Sequence, residues 1–273
     1  MRGMHRPLGI STSLLDKKFK PALLAEVAAR GITHIELFLA AGISYFDSDE
    51  GVAELIAEAE RQGITFWSVH APFGSVDLSN PDEIARREAL QAVVRALDVA
   101  QMINCKPVVI HAGMSTGEPD EVEHRRRQSI RSINELCKLS SQRGLGLAVE
   151  YLPTNVPRIG NTSADIIDLF RVVDGAPGVC MDANHANLGE PLAEAIRALA
   201  DRIVTVHISD NDGINERHFM PGQGTIDWGE FMSLLDEIGY EGPLMYEASN
   251  AGDNILERLD MVVASARKYL GNG

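Results

Sequence analysis

Eight short runs rich in β-branched residues alternate with longer amphipathic stretches, and this rhythm constrains the fold more than any other feature of the chain. The runs are Leu8–Ser11, Thr33–Phe38, Ile64–His70, Pro107–His111, Leu145–Glu150, Gly178–Asp182, Ile203–His207 and Pro243–Glu247. Helix-like segments lie between them at Pro21–Arg30, Val52–Gln62, Glu83–Ile103, Glu121–Arg143 and Ala164–Val173, then at Leu192–Ala200, Phe231–Ile238 and Ile255–Tyr269. Within Glu83–Ile103, the residues Ala89, Val93, Ala96, Leu97 and Ala100 recur at helical spacing and make one apolar face. Gly31, Gly63, Gly144 and Gly239 each close a helical pattern ahead of a strand, the place of a C-cap glycine. One strand and one helix per roughly 30 residues predicts an α/β fold, the (β/α)8 or TIM barrel, with residues 1–273 forming a single domain. An open doubly wound sheet is the rival architecture. It calls for a Gly-rich loop after the first strand, and Ile10-Ser11-Thr12-Ser13 is not one.

Composition narrows the function. The chain has 39 acidic residues against 25 Lys and Arg, a net charge of −14, so its overall field repels a polyanion and nucleic acid is not the expected partner. Three scattered cysteines, Cys105, Cys137 and Cys180, form neither a disulfide framework nor a CxxC metal site. The basic N-terminal residues are not followed by an apolar h-region, and no apolar run reaches the roughly 18 residues of a membrane span. The expectation is a cytoplasmic protein with no membrane partner.

In a barrel of this kind the chemistry sits at the C-terminal ends of the strands. Strands three to eight end at His70, His111, Glu150, Asp182, His207 and Glu247, each a side chain able to bind a divalent ion. His185 follows Asp182 by three residues, and His218 lies in the loop after strand seven. Acids and histidines placed independently would scatter over helix faces as well. Their concentration here predicts a metal site of mixed oxygen and nitrogen ligands without cysteine, suited to Mn²⁺ or Zn²⁺ and compatible with Co²⁺ or Mg²⁺.

Six motifs carry a family resemblance: Ser68-Val-His-Ala-Pro-Phe, Val109-Ile-His-Ala-Gly, Ala148-Val-Glu, Val179-Cys-Met-Asp-Ala-Asn-His, Val206-His-Ile-Ser-Asp and Pro221-Gly-Gln-Gly-Thr-Ile-Asp-Trp. With them the chain resembles the xylose isomerase-like TIM-barrel superfamily, which holds sugar isomerases and epimerases, inosose-processing enzymes, hydroxypyruvate isomerases and the endonuclease IV (AP endonuclease family 2) repair enzymes. The resemblance to the ketose 3-epimerases implies Glu150, Asp182, His207 and Glu247 as metal ligands. It makes Glu150 and Glu247 also the acid/base pair, and His185 and Arg217 substrate contacts. The resemblance to endonuclease IV implies a fuller ligand set, adding His70, His111, His185 and His218, with Glu216 where that family carries an Asp. Asp212 departs from it, standing where that family has a Lys.

Two chemistries follow. The preferred one is isomerisation or epimerisation of a sugar or sugar phosphate by proton transfer through an enediolate, with Glu150 and Glu247 exchanging protons with carbon. Here His185 and Arg217 hold hydroxyls, Glu36 at the end of strand two reaches the far end of the substrate, and Trp67 with Phe73 makes an apolar wall. The alternative is phosphodiester hydrolysis by a multinuclear cluster, in which His70, His111, Glu216 and His218 bind further ions. Backbone N–H groups of Gly222 and Gly224 would then be available to a phosphate. A non-enzymatic sugar-binding barrel has no use for two metal-facing glutamates. The expected partner is a small carbohydrate, and a homo-oligomer is compatible with all of this.

Overall fold

The computed structural model describes residues 6–39, 48–115, 118–248 and 254–271. Strands β1 (Leu8–Ser11), β2 (His34–Phe38), β3 (Thr65–His70), β4 (Pro107–Ile110), β5 (Gly146–Glu150), β6 (Gly178–Asp182), β7 (Ile203–Ile208) and β8 (Leu244–Tyr246) are all parallel. They pair in sequence order, and β8 returns to β1 to close a barrel. Helices alternate with them: α1 (Leu23–Ala28), α2 (Asp49–Gln62), α3 (Glu83–Met102), α4 (Pro119–Gln142), α5 (Ser163–Phe170), α6 (Ala183–Ala186), α7 (Leu192–Ala198), α8 (Trp228–Glu237) and α9 (Ile255–Tyr269). Among the described residues no helix is long and apolar enough to cross a membrane.

Local chemistry sets these boundaries. Ser48, Asp82, Thr162, Asp227 and Asn254 each accept a hydrogen bond from a backbone N–H in the first turn of the helix they precede, relieving donors that the helix itself cannot satisfy. The four anticipated C-cap glycines all take positive φ, and at Gly63 the left-handed residue closes α2 directly.

Strand parity then sorts the side chains. Leu147, Val149, Val179, Met181, Val206 and Ile208 point outward into the apolar layer between strands and helices. Val109, Ala148 and Cys180 form a separate small cluster inside the barrel. Residues two further along β5 and β6, Glu150 and Asp182, therefore also face inward, one layer higher. The register places Glu150 beside Cys180 and Asp182 beside His207, which carries the inward column around the barrel.

Several boundaries differ from the sequence reading, and each difference moves a side chain. β4 and β8 stop one residue before His111 and Glu247, and β7 continues one residue past His207. β2 ends at Phe38, as its sequence run does, and Phe38 pairs with His70, so Glu36 lies two residues before the strand end and pairs with Ser68 one layer deeper. A 3-10 segment at Thr12–Lys18 and the four-residue α6 are additions that no periodicity signals.

Candidate metal centre

Glu150, at the end of β5, is the hub. One carboxylate oxygen lies 3.0 Å from His70 Nε2 and 2.7 Å from His111 Nε2. The other lies 3.1 Å from His207 Nδ1 and 3.6 Å from His185 Nδ1. His207 Nδ1 is in turn 3.0 Å from Glu247 Oε2 and 3.7 Å from Asp182 Oδ2. A second cluster adjoins the first, with Glu216 Oε1 placed 3.3 Å from His185 Nε2 and 3.0 Å from His218 Nε2.

These atoms fall into three groups of ligand type, the first two sharing Glu150: Glu150, Asp182, His207 and Glu247; His70, His111 and Glu150; and His185, Glu216 and His218, each with its ligand atoms within 4.8 Å of one another. The four-residue group fits a divalent cation on its own geometry. Asp182 spends Oδ1 on the N–H of His185, capping α6, while its buried Oδ2 has no hydrogen-bond partner among the described residues. Three carboxylates around one imidazole, with an orphaned oxygen among them, make a donor set of charge and type suited to a divalent cation.

The electrostatics report the same crowding. Burial alone would lower the His70 imidazole, but Glu150, Glu36 and Glu247 overcome it and raise it to about 9. Against a similar burial penalty, Asp182, Glu216 and Glu150 raise His185 to about 10. His207 is held well above its ordinary value, the carboxylates outweighing burial. His111 goes the other way, because burial dominates there. Burial pushes the Glu150 carboxyl up, yet the surrounding histidines hold it well below the usual carboxylate range.

The centre forms the floor of a cavity of about 90 Å³ whose lining includes His70, His111, Glu150, His185, Glu216, His218 and Glu247. Phe73 stacks on His111 with ring centroids 4.2 Å apart and supplies the apolar wall. Trp67 does not share that role: its Nε1–H donates to Thr205 Oγ1 at 3.1 Å and its ring packs on His34, outside the lining. His218 adopts φ 48°, an uncommon left-handed conformation for a residue with a side chain. Contacts from its Nδ1 to the Glu247 carbonyl (2.9 Å) and its Nε2 to Glu216 hold it there.

Two anticipated substrate contacts stand elsewhere. Glu36 is fully buried, 3.2 Å from His207 Nε2 and accepting from Ser68 Oγ at 2.8 Å, because β2 extends two residues beyond it. It supports His207 from below and does not reach the cavity. The Arg217 Nε–H donates to Asp212 at 3.0 Å, with the side chain 47% exposed outside the lining. The backbone N–H groups of Gly222 and Gly224 are likewise committed, donating to Asp210 Oδ2 at 2.9 and 3.1 Å.

Asp210 closes the motif Val206-His-Ile-Ser-Asp, but sequence reasoning gave it no role. Fully buried, it also accepts from the N–H of Asn211, the N–H of Ile226 and Trp228 Nε1–H, pinning the whole Pro221–Trp228 loop beside the cavity. Its partners lie up to 18 positions away in the chain, so no local pattern reveals the cage. Replacing Asp210 with asparagine sets an amide NH2 against these donors and should cost about 3 kcal/mol, given roughly 1–3 kcal/mol for each buried donor stranded. The urea midpoint should fall with little change in slope. An unchanged midpoint would mean that other contacts hold the loop. The other overlooked residue, Arg158, lies in the cavity lining.

Comparison with known proteins places the chain among relatives of this architecture. A family model described as a xylose isomerase-like TIM barrel matches residues 24–267. The D-psicose 3-epimerase of Ruminiclostridium cellulolyticum is 26% identical over 258 residues, spanning 90% of this chain and 86% of the relative. A probable endonuclease 4 of Thermoplasma volcanium is 26% identical over 238 residues, spanning 82% and 80%. The solved structure of a D-tagatose 3-epimerase-like protein superposes with a TM-score of 0.86 at 23% identity over 97% of both chains, a likeness of fold.

Proposed function

The chain belongs to the xylose isomerase-like TIM-barrel family, and from that premise we propose that it is a divalent-metal-dependent isomerase or epimerase of sugars or sugar phosphates. The observation that carries the reading is the pair Glu150 and Glu247. Both carboxylates lie within 3.1 Å of one His207 nitrogen and both line the cavity, so two bases share a single ion site and a single substrate space. The similarity to a D-psicose 3-epimerase supports it.

Glu150, Asp182, His207 and Glu247 would hold the ion. When bound, it supplies Lewis acidity that lowers the pKa of the C–H beside a carbonyl. The remaining chemistry falls to the chain. Glu150, ionised at neutral pH, takes the carbon-bound proton, leaving the substrate as an enediolate. Glu247 returns a proton. His185, anchored through Nδ1 at 2.9 Å from the Tyr151 carbonyl, carries Nε2 into the cavity beside Glu216, where a substrate hydroxyl would share it. Glu36 fixes the orientation of His207 through the ring nitrogen that faces away from the ion site. Phe73 keeps water from one side.

A second reading rests on the two additional donor groups and on the similarity to a probable endonuclease 4: a multinuclear phosphodiesterase. Against it, the N–H groups of Gly222 and Gly224 are already bonded to Asp210, and Asp212, where the resemblance to endonuclease IV has a Lys, is an anion paired with Arg217. One paired assay separates them. The isomerase reading expects solvent deuterium to enter carbon-bound positions of a panel of ketoses and their phosphates, with no cleavage of an abasic-site oligonucleotide. Cleavage without deuterium incorporation would replace it with the second reading.

A further inference from the structure

Arg158 is the cavity residue to which the proposed chemistry gives no work. It lies in the loop between β5 and α5, and its backbone is clamped to the loop after β4. The Ser115 N–H donates to the Pro157 carbonyl and the Ile159 N–H to the Gly113 carbonyl, both at 3.1 Å, so that Met114 and Arg158 form an antiparallel bridge. The half-buried side chain lines the cavity beside His111, Glu150 and His185. Among the described residues its Nη1 meets only the thioether of Met114 at 3.4 Å, a weak acceptor, and its buried Nε–H has no hydrogen-bond partner. Arg125 and Arg126, nearby in the chain's fourth helix, show the usual arrangement, being paired with Asp77, Glu121 and Asp165.

A guanidinium carries five donors in a planar fork that matches the oxygens of a carboxylate or phosphate, and burying such a group without an acceptor is unfavourable. A ligand that brings the acceptor removes the penalty. The surroundings make the need specific. The chain as a whole carries −14, so its long-range field repels an anionic substrate. One cation held rigidly in the wall offsets that field at one point.

We propose that Arg158 binds an oxyanion, a phosphate ester or a carboxylate, on the part of the sugar chain remote from the reacting carbons. The proposal rests on the isomerase reading for its substrate and makes that substrate an acidic ketose. The test titrates Mn²⁺-loaded protein by calorimetry with D-fructose, D-fructose 6-phosphate and D-fructuronate, which share a skeleton and differ at one end. The wild type should bind at least one of the two anions about tenfold to a hundredfold more tightly than fructose, the range of a charge-assisted hydrogen bond. Arg158→Gln should abolish that preference while changing fructose binding less than about threefold, and Arg158→Lys should keep part of it. Inorganic phosphate should compete with the phosphorylated ligand if phosphate is the group recognised, and not with the carboxylate if that is. A thermal melt of each variant confirms its folding. An anion preference absent from the wild type, or undiminished in a folded Arg158→Gln variant, overturns the proposal. Deuterium exchange on the same three sugars reads the isomerase assignment separately. Exchange without any Arg158-dependent preference leaves that assignment standing and defeats this one, whereas Arg158-dependent anion binding without exchange does the reverse.

Discussion

Glu150→Gln should lower the rate of solvent-deuterium exchange into a ketose substrate by about 10²–10⁴-fold, the usual loss when a positioned acid/base group is removed. The amide cannot take a proton from carbon, and it also weakens the ion site, since Glu150 belongs to the four-residue ligand group. The loss should therefore fall in kcat, with metal content measured alongside to separate the two effects. His218→Ala is the matched control. His218 touches Glu216 and the Glu247 carbonyl and belongs to a different donor group, so its loss should be milder, within about tenfold if it contributes one hydrogen bond to substrate. Comparable collapse of both variants would argue that the second group holds an ion the reaction needs, and would move the assignment towards the multinuclear hydrolase.

Exhaustive chelation should abolish turnover, and Mn²⁺, Co²⁺ or Zn²⁺ should restore it. Metal at a hundredfold excess over its Kd should raise stability by about 2.7 kcal/mol, seen as a higher melting temperature. The histidines give this linkage a pH dependence of definite sign. His207 carries a proton at neutral pH in the metal-free protein, because its carboxylate neighbours outweigh burial. An ion must displace that proton, so uptake near pH 7 should release protons and apparent affinity should rise with pH. In the metal-free protein, His185 is raised from 6.5 to about 10. A raised folded-state pKa contributes stability that is complete below about 6.5 and is lost as pH climbs through about 10. The metal-free protein should therefore lose stability over that window more steeply than the loaded one. Full activity in protein verified to be metal-free would contradict the whole scheme.

Much of this was legible in the sequence because it depends on short-range periodicity. A strand turns its side chains alternately, so an acid or histidine at a strand end shares the face of the residue two before it, and Ala148 and Cys180 already announce where Glu150 and Asp182 point. Eight such units in order lead to a closed parallel barrel, and the barrel gathers its strand ends on one rim. The ring of acids and histidines thus follows from local pattern together with closure.

What only the tertiary structure decided are the positions that depend on depth and on contacts between distant segments. Glu36 stands two residues before the end of β2, and the pairing of β2 with β3 sets it beside Ser68 and under His207, a depth that residue type does not encode. Arg217 turns to Asp212, and the N–H groups of Gly222 and Gly224 turn to Asp210, because a hydrogen bond is awarded by proximity in space, which residue types do not encode. Arg158 is the converse case. An arginine in a loop reads as a solvated charge, and only the pairing of two loops from adjacent strands carries its guanidinium into the cavity with a donor left over. Periodicity determines which face a side chain takes, but how far along that face it sits, and which partner it meets there, is settled by strand register and loop packing.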